Sequence, residues 1–214
     1  MFTMKYQSDP ILKAIQNELI THAKCHTLIL YGSRARGDET ATSDYDILAI
    51  CKEGEFKRDC RYFEGFYLDI FIYPEEQLKI PCASLLRIKD GKVLCQKNEM
   101  GDALLKQVQD MFSQGPPVTP DWEKHEISMW ILKMLARAKQ DDIEANFRMH
   151  WLLHDLLECY FKLRDHWYLG PKESFQWLKA NDINTFFAFE KALKPGTSLQ
   201  SISDLVKQVS ISIE

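Results

Sequence analysis

Apolar residues recur at helical spacing near the start of the chain, at Ile11, Leu12, Ile15, Leu19 and Ile20. They follow Asp9-Pro10, a capping acceptor and a residue whose φ suits a first helical turn, so this pattern predicts a helix. The period then changes. Residues 27–31 form a short β-branched and apolar run that stops at Gly32, residues 45–51 form a second, and residues 66–73 form a third that ends at Pro74. All three read as strands. Residues 61–64, just before Gly65, are expected to pair with the third strand as a hairpin, and residues 92–96, after Asp90-Gly91, to add another short strand. Residues 100–112 read as a helix.

Three prolines fall between Gly115 and Pro120, where they remove backbone donors and forbid helix. Beyond them the pattern is of helical period with almost no strand signal. Helices are expected over residues 121–139, then from a cap at Asp141 or Asp142 to about residue 166, where Gly170-Pro171 prevents continuation. Shorter ones are expected over residues 172–180, 183–193 and 199–211, the last capped by Ser198. The organisation expected is therefore residues 1–114, a linker at 115–120, and residues 121–214. The first part is an α+β domain with a mixed sheet flanked by helices, and the second an all-α bundle.

Composition narrows the function classes. The chain has 214 residues, 45% hydrophobic and 27% charged, which suits globular domains with real cores and excludes disordered or collagen-like chains. Its longest apolar runs are broken by Lys133, His154 or Asp155 well short of the ~20 residues that span a bilayer, so no membrane association is expected. The first residues show no basic stretch followed by an apolar core, which predicts a cytosolic (cytoplasmic) protein. The six cysteines, at 25, 51, 60, 82, 95 and 159, form no C-x-x-C pair and read as reduced, buried thiols. Net charge is −4, and both sides of Gly115 are mildly acidic. A protein gripping long nucleic acid by its phosphates needs a basic excess, and the linear pattern shows none.

The chemistry lies in residues 31–50, Tyr-Gly-Ser-Arg-Ala-Arg-Gly-Asp-Glu-Thr-Ala-Thr-Ser-Asp-Tyr-Asp-Ile-Leu-Ala-Ile. A strand that ends in Gly32-Ser33 brings bare backbone N–H groups and a hydroxyl to one point, a cradle for phosphate oxygens. Twelve residues on, alternation in an extended chain sends the carboxylates of Asp44 and Asp46 to one side and Tyr45 to the other. Two carboxylates beside a phosphate cradle suit Mg²⁺. Asp69 lies between Leu68 and Ile70 in the third strand, where a buried carboxylate is costly unless paired or metal-bound.

With this spacing the chain resembles the nucleotidyltransferase superfamily that includes DNA polymerase beta, kanamycin nucleotidyltransferase and the small bacterial MNT-type proteins. The match runs from about residue 27 to 73, with Gly-Ser-Arg-Ala-Arg-Gly and Ser-Asp-x-Asp as the fuller bacterial form. The resemblance implies that Gly32 and Ser33 hold a nucleoside triphosphate. It also implies that Asp44 and Asp46 ligate Mg²⁺, and that Asp69 joins a second ion near the attacking hydroxyl. Arg34 and Arg36 are implied to pair with phosphates as planar forks, unless one of them braces the loop against a carboxylate. Thr40 stands where many bacterial members have arginine, so one phosphate contact is missing or supplied from elsewhere. The implied reaction is in-line transfer of a nucleoside monophosphate with loss of pyrophosphate, assisted by two divalent ions.

The order of a catalytic domain followed by a helical one resembles two-domain members in which the helices help form the acceptor cleft. Glu123 and Glu126, early in the first helix after the linker, are candidate general bases, although acids in a first turn also complement the helix dipole. Kanamycin-modifying relatives have a Lys one turn after their Glu, whereas Trp130 follows Glu126. His150 and His154 share a helix face but have no third ligand nearby, and the C-terminal aromatics read as bundle core. The leading expectation is a Mg²⁺-dependent enzyme that moves NMP, from ATP as the expected NTP, to a hydroxyl of a small aminoglycoside-like molecule. The rivals are an MNT-like enzyme modifying a protein or tRNA and a catalytically silent nucleotide-binding module. A homodimer is left open.

Overall fold

The computed structural model describes residues 9–140 and 142–210, and divides into two compact units, Met1–Gln114 and Gly115–Glu214. In the first, helix α1 (Pro10–Thr21) begins where Asp9 Oδ1 accepts from Leu12 N at 3.1 Å, and buries Leu12, Ile15 and Leu19. Strand β1 (Cys25–Tyr31) leads directly into a short helix α2 (Gly32–Arg36). Strands β2 (Tyr45–Cys51), β3 (Lys57–Phe63), β4 (Phe66–Pro74) and β5 (Lys92–Cys95) complete one sheet in the order β3-β4-β2-β1-β5. The hairpin between β3 and β4 turns on Glu64 and Gly65, both at positive φ (48° and 87°), as a two-residue turn matching the strand twist requires. That hairpin reverses the chain, so β4 runs parallel to β2 while all other pairs are antiparallel.

Alternation divides the sheet into two faces. Leu28, Leu30, Tyr45, Ile47, Ala49, Leu68 and Ile70 join the α1 residues in one buried core. Asp46 and Asp69 lie on the other face. Two 3₁₀ segments (Glu75–Leu78 and Ala83–Ile88) intervene between β4 and β5, and helix α3 (Met100–Gln114) follows. The 3₁₀ segments have no counterpart in the periodicity, because runs of four to six residues are too short to show one.

The second unit is all helical: α4 (Asp121–Arg137), α5 (Ile143–Leu163), α6 (Pro171–Asn181), α7 (Ile183–Ala192) and α8 (Leu199–Val209). Asp142, Asp182 and Ser198 cap α5, α7 and α8 through their side-chain oxygens, the first accepting from Ala145 N at 2.7 Å. Asp141 and Ile211, the other expected boundary residues, lie outside the described residues. Helix α5 ends three residues early because Asp165 turns left-handed (φ 53°) and His166 N donates to Phe161 O at 2.9 Å. The Asp165 carboxylate then accepts from Thr119 N at 2.7 Å and Lys124 Nζ at 2.6 Å, and Thr119 Oγ1 donates to Lys162 O at 3.1 Å. Thr119 is thus buried and fastened to this unit, while Val118 beside it is 76% exposed.

The bundle core holds Ile131, Met134, Leu152, Leu156, Tyr160, Phe161, Phe189, Ile202 and Leu205. Trp151 and Phe187, expected in that core, are about half exposed, at 45% and 55%. All six cysteines are free, but Cys60 and Cys82 are exposed rather than buried. Cys60 lies on the edge strand and Cys82 just ahead of a 3₁₀ turn, so neither has a covering layer.

Candidate active site

The end of β1, the start of β2 and the middle of β4 converge on one sheet face. Tyr31 pairs with Asp46 across β1 and β2, and Asp46 pairs with Asp69 across β2 and β4. Gly32 sits over the same point. It has φ +70°, and a Cβ built there would lie 2.2 Å from Asp46 Oδ2. Only glycine allows both the turn from strand into α2 and the close approach of backbone to carboxylate. Ser33 follows in the first turn of α2, which ends at Gly37 (φ +83°) with Gly37 N and Asp38 N both donating to Ser33 O.

Asp44 precedes β2, and the loop that carries it is braced by Arg34. Its Nη2 donates to Ser43 O at 2.7 Å and its Nε to Asp44 O at 3.0 Å, while the guanidinium lies 3.8 Å from the Tyr45 ring centroid. Tyr45 points to the opposite side of the strand, where its hydroxyl donates to Asp9 Oδ2 at 2.8 Å. Through these bonds Arg34 braces the loop on backbone carbonyls. Arg36 reaches Asp38 at 3.5 Å. Thr40 takes part in a hydroxyl cluster with Thr42 and Ser43.

The carboxylates differ in electrostatic setting. Burial pushes the Asp46 carboxyl up to about 6, with Asp44 and Asp69 adding to the rise and Arg36 and Arg34 opposing it. Asp69 goes the other way: the paired hydrogen bonds from Arg58 hold its carboxyl below the usual range, against a smaller effect of burial. Arg58 Nε donates to Asp69 Oδ1 at 2.8 Å and Nη2 to Oδ2 at 2.9 Å, and Cys60 Sγ donates to Oδ1 at 3.3 Å. Among the described residues no three His, Cys, Asp or Glu side chains are gathered as a metal-ligand group. Asp44, Asp46 and Asp69 share a neighbourhood, but Asp69 is turned onto Arg58. A half-buried Asp46 carboxylate with two acidic neighbours still has the donor chemistry a hard divalent cation requires.

Several residues here have no signal in the motif. Arg58 and Arg87 both lie against the Phe71 ring, at 4.9 and 4.3 Å from its centroid, and Arg87 Nε is fixed by Ser84 O at 2.7 Å. Tyr31 is buried beside Asp46 and Asp69, and its hydroxyl is held well above the ordinary range, by burial first and the two acids second. The alternating Lys57-Arg58-Asp59-Cys60-Arg61 run was the available clue, since it places Arg58 and Cys60 on the face that carries Asp69.

Glu123 and Glu126 belong to the helical unit. They line a cleft of about 330 Å³ there with Ile127, Trp130, Asp155 and Cys159. Glu123 Oε1 accepts from Lys162 Nζ at 2.6 Å. Asp155 accepts from Trp151 Nε1 and pairs with His154 Nδ1, each at 2.7 Å, and His154 is otherwise solvent-exposed.

Residues 13–100 match the family described as "Polymerase beta, Nucleotidyltransferase". No curated protein matches the chain. Among solved structures, the crystal structure of a nucleotidyltransferase-like protein from Exiguobacterium sibiricum 255-15 is similar, at 14% identity and a TM-score of 0.41, over 92% of this chain and 74% of that one. The matched stretch contains the whole sheet and all three carboxylates. Residues 13–100 of this chain are a nucleotidyltransferase domain of the polymerase beta family.

Proposed function

We propose that the protein transfers a nucleoside monophosphate, with ATP as donor, to a hydroxyl of a small amine-bearing acceptor of the aminoglycoside-like class. The observation that carries the transferase reading is the placement of Asp46 between Gly32 and Asp69, which brings bare backbone and carboxylates together on one face of the sheet. Gly32 and Ser33 would receive the triphosphate at the start of α2, with Arg36 nearby. Asp44, Asp46 and Asp69 would hold Mg²⁺. When bound, such ions neutralise the developing charge on the attacking and leaving oxygens of phosphoryl transfer. Arg34 acts indirectly, by fixing the carbonyls on either side of the Asp44 backbone.

The acceptor side of the proposal draws on the helical unit. Its cleft combines Glu123, Glu126 and Asp155 with Trp130, a mix of carboxylates and an aromatic wall that suits an organic ammonium group. Glu126 forms no ion pair among the described residues, unlike Glu123, so its carboxylate is the freer of the two to accept a proton. The test is a screen for radiolabelled NMP transfer from each of the four NTPs to pools of aminoglycosides, RNA and protein. Label appearing in the aminoglycoside pool alone supports this reading. Label confined to RNA or protein would replace it with modification of a macromolecule, and no label in any pool with intact nucleotide binding would favour a silent binding module.

A further inference from the structure

Asp69 stands beside Asp46, yet its two oxygens are occupied by the fork of Arg58. The partners differ in freedom. The Asp69 side chain is 18% exposed and sits inside β4, which is paired on both sides, whereas the Arg58 side chain is 54% exposed on the edge strand β3. The acid is therefore the fixed member and the arginine the one with room to swing. An ion pair with one member half in solvent adds little net stability, so exchanging its anion is cheap. A guanidinium fork fits a carboxylate and a phosphate by the same two-point geometry. Arg87, at the same Phe71 ring, is tied at Nε to Ser84 O and adds a second cation to the neighbourhood.

We propose that Arg58 is a positioning residue that exchanges anions: it clamps Asp69 while the site holds no nucleotide, and moves its fork to phosphate oxygens when a nucleoside triphosphate arrives. Asp69 is then released to face the cation that accompanies the phosphates. This rests on the nucleotidyl-transfer reading. No covalent bond changes in the exchange; one carboxylate is replaced by one phosphate on the same guanidinium. Arg58 would thereby supply the phosphate contact that Thr40 does not, and would keep the third carboxylate unavailable until a nucleotide is present.

The experiment uses the full chain and two readouts that do not need turnover. First, the arginine Nε–H region of the ¹H–¹⁵N spectrum is followed during titration with Mg²⁺ and a non-hydrolysable ATP analogue, with the Arg58 signal assigned by its loss in Arg58→Lys and Arg58→Gln. A saturable shift of that signal is expected. Second, Mn²⁺ binding without nucleotide is measured by electron paramagnetic resonance. Arg58→Lys keeps the charge but removes the fork, so Mn²⁺ should bind roughly three- to tenfold tighter than in the wild type, and this gain should vanish in an Asp69→Asn background. If the wild type binds the Mg²⁺–nucleotide but the Arg58 signal stays in place and the Lys variant gains no Mn²⁺ affinity, the exchange is wrong and the transferase reading stands. If the wild type binds no nucleotide at all, the transferase reading itself fails and the exchange with it.

Discussion

Asp46 and Asp69 are register partners in the parallel pairing of β2 with β4, so their side chains leave the same face about one strand spacing, ~4.8 Å, apart. Equivalent in position, they are opposite in environment. Asp46 has burial and two acidic neighbours against it, and Asp69 has a bidentate arginine in its favour. One consequence is that removing either charge should have a different effect on the metal-free fold.

Asp46→Asn keeps the volume and removes an under-compensated charge. Thermal unfolding of the metal-free protein near neutral pH should show no loss of stability and a gain of up to about 1 kcal/mol, while calorimetric Mg²⁺–nucleotide binding disappears. Loss of stability together with retained binding would contradict the assignment of Asp46.

Gly32 and Gly37 bracket α2, both at positive φ, but only Gly32 lies against a side chain. Gly37→Ala should cost about 1 kcal/mol through backbone strain alone and leave nucleotide affinity intact. Gly32→Ala adds the clash with Asp46 and should cost about 2–3 kcal/mol with nucleotide affinity abolished. Denaturant melts paired with nucleotide titration separate the two; equal behaviour of both variants would remove the special role of Gly32.

Arg34 holds the loop through Ser43 O and Asp44 O and stacks on Tyr45. Its replacement by Lys keeps the charge but loses the two-carbonyl geometry, and should lower stability by about 1–2 kcal/mol. If Arg34 were a phosphate ligand only, Arg34→Lys would weaken nucleotide binding and leave the melting temperature unchanged.

The Lys124 ammonium, with the Thr119 N–H, holds the Asp165 carboxyl below its ordinary value. A carboxyl whose folded value is depressed contributes stability that is fully present above its unfolded value, near 4, and is lost as pH falls through the folded value. The wild type should therefore lose stability on acidification below about pH 4 more steeply than Asp165→Asn. At neutral pH the Asn variant should exchange the Thr119 amide hydrogen faster. An unchanged Thr119 exchange rate would show that Asp165 does not anchor that segment.

The same contact refines the expected linker over residues 115–120. Limited proteolysis should open the chain within residues 115–118, where Val118 is exposed, and spare the bond after Thr119, which is buried. Early cutting after Thr119 would contradict the anchoring by Asp165 and Lys162.

Local chemistry made much of this fold readable in the sequence. Caps at Asp9, Asp142 and Ser198, the turn at Gly65 and the alternation around Asp46 and Asp69 are short-range signals, and each coincides with an observed element. What the sequence obscured depends on partners far along the chain. The expected hairpin arm, residues 61–64, omits 57–60, where an edge strand with one open face carries no apolar run to mark it. The Arg58–Asp69 clamp follows from that unrecognised part of β3, since its register opposite β4 sets which arginine meets which acid. The early end of α5 has the same origin: helical periodicity runs on to about residue 166, but Asp165 is turned out to meet Thr119 and Lys124.

The position of β3 at the border of the sheet has a further effect. Its outward backbone groups could template pairing with another chain, and Lys57, Arg58 and Arg61 along it are the kind of residues that discourage such association. Arg58 is thus constrained by colloidal behaviour as well as by its meeting with Asp69. Replacing it with an apolar residue beside Cys60 and the 78%-exposed Tyr62 would lengthen a sticky border, so self-association could be mistaken for loss of ligand binding. Lysine at this position preserves the protected border while removing the fork.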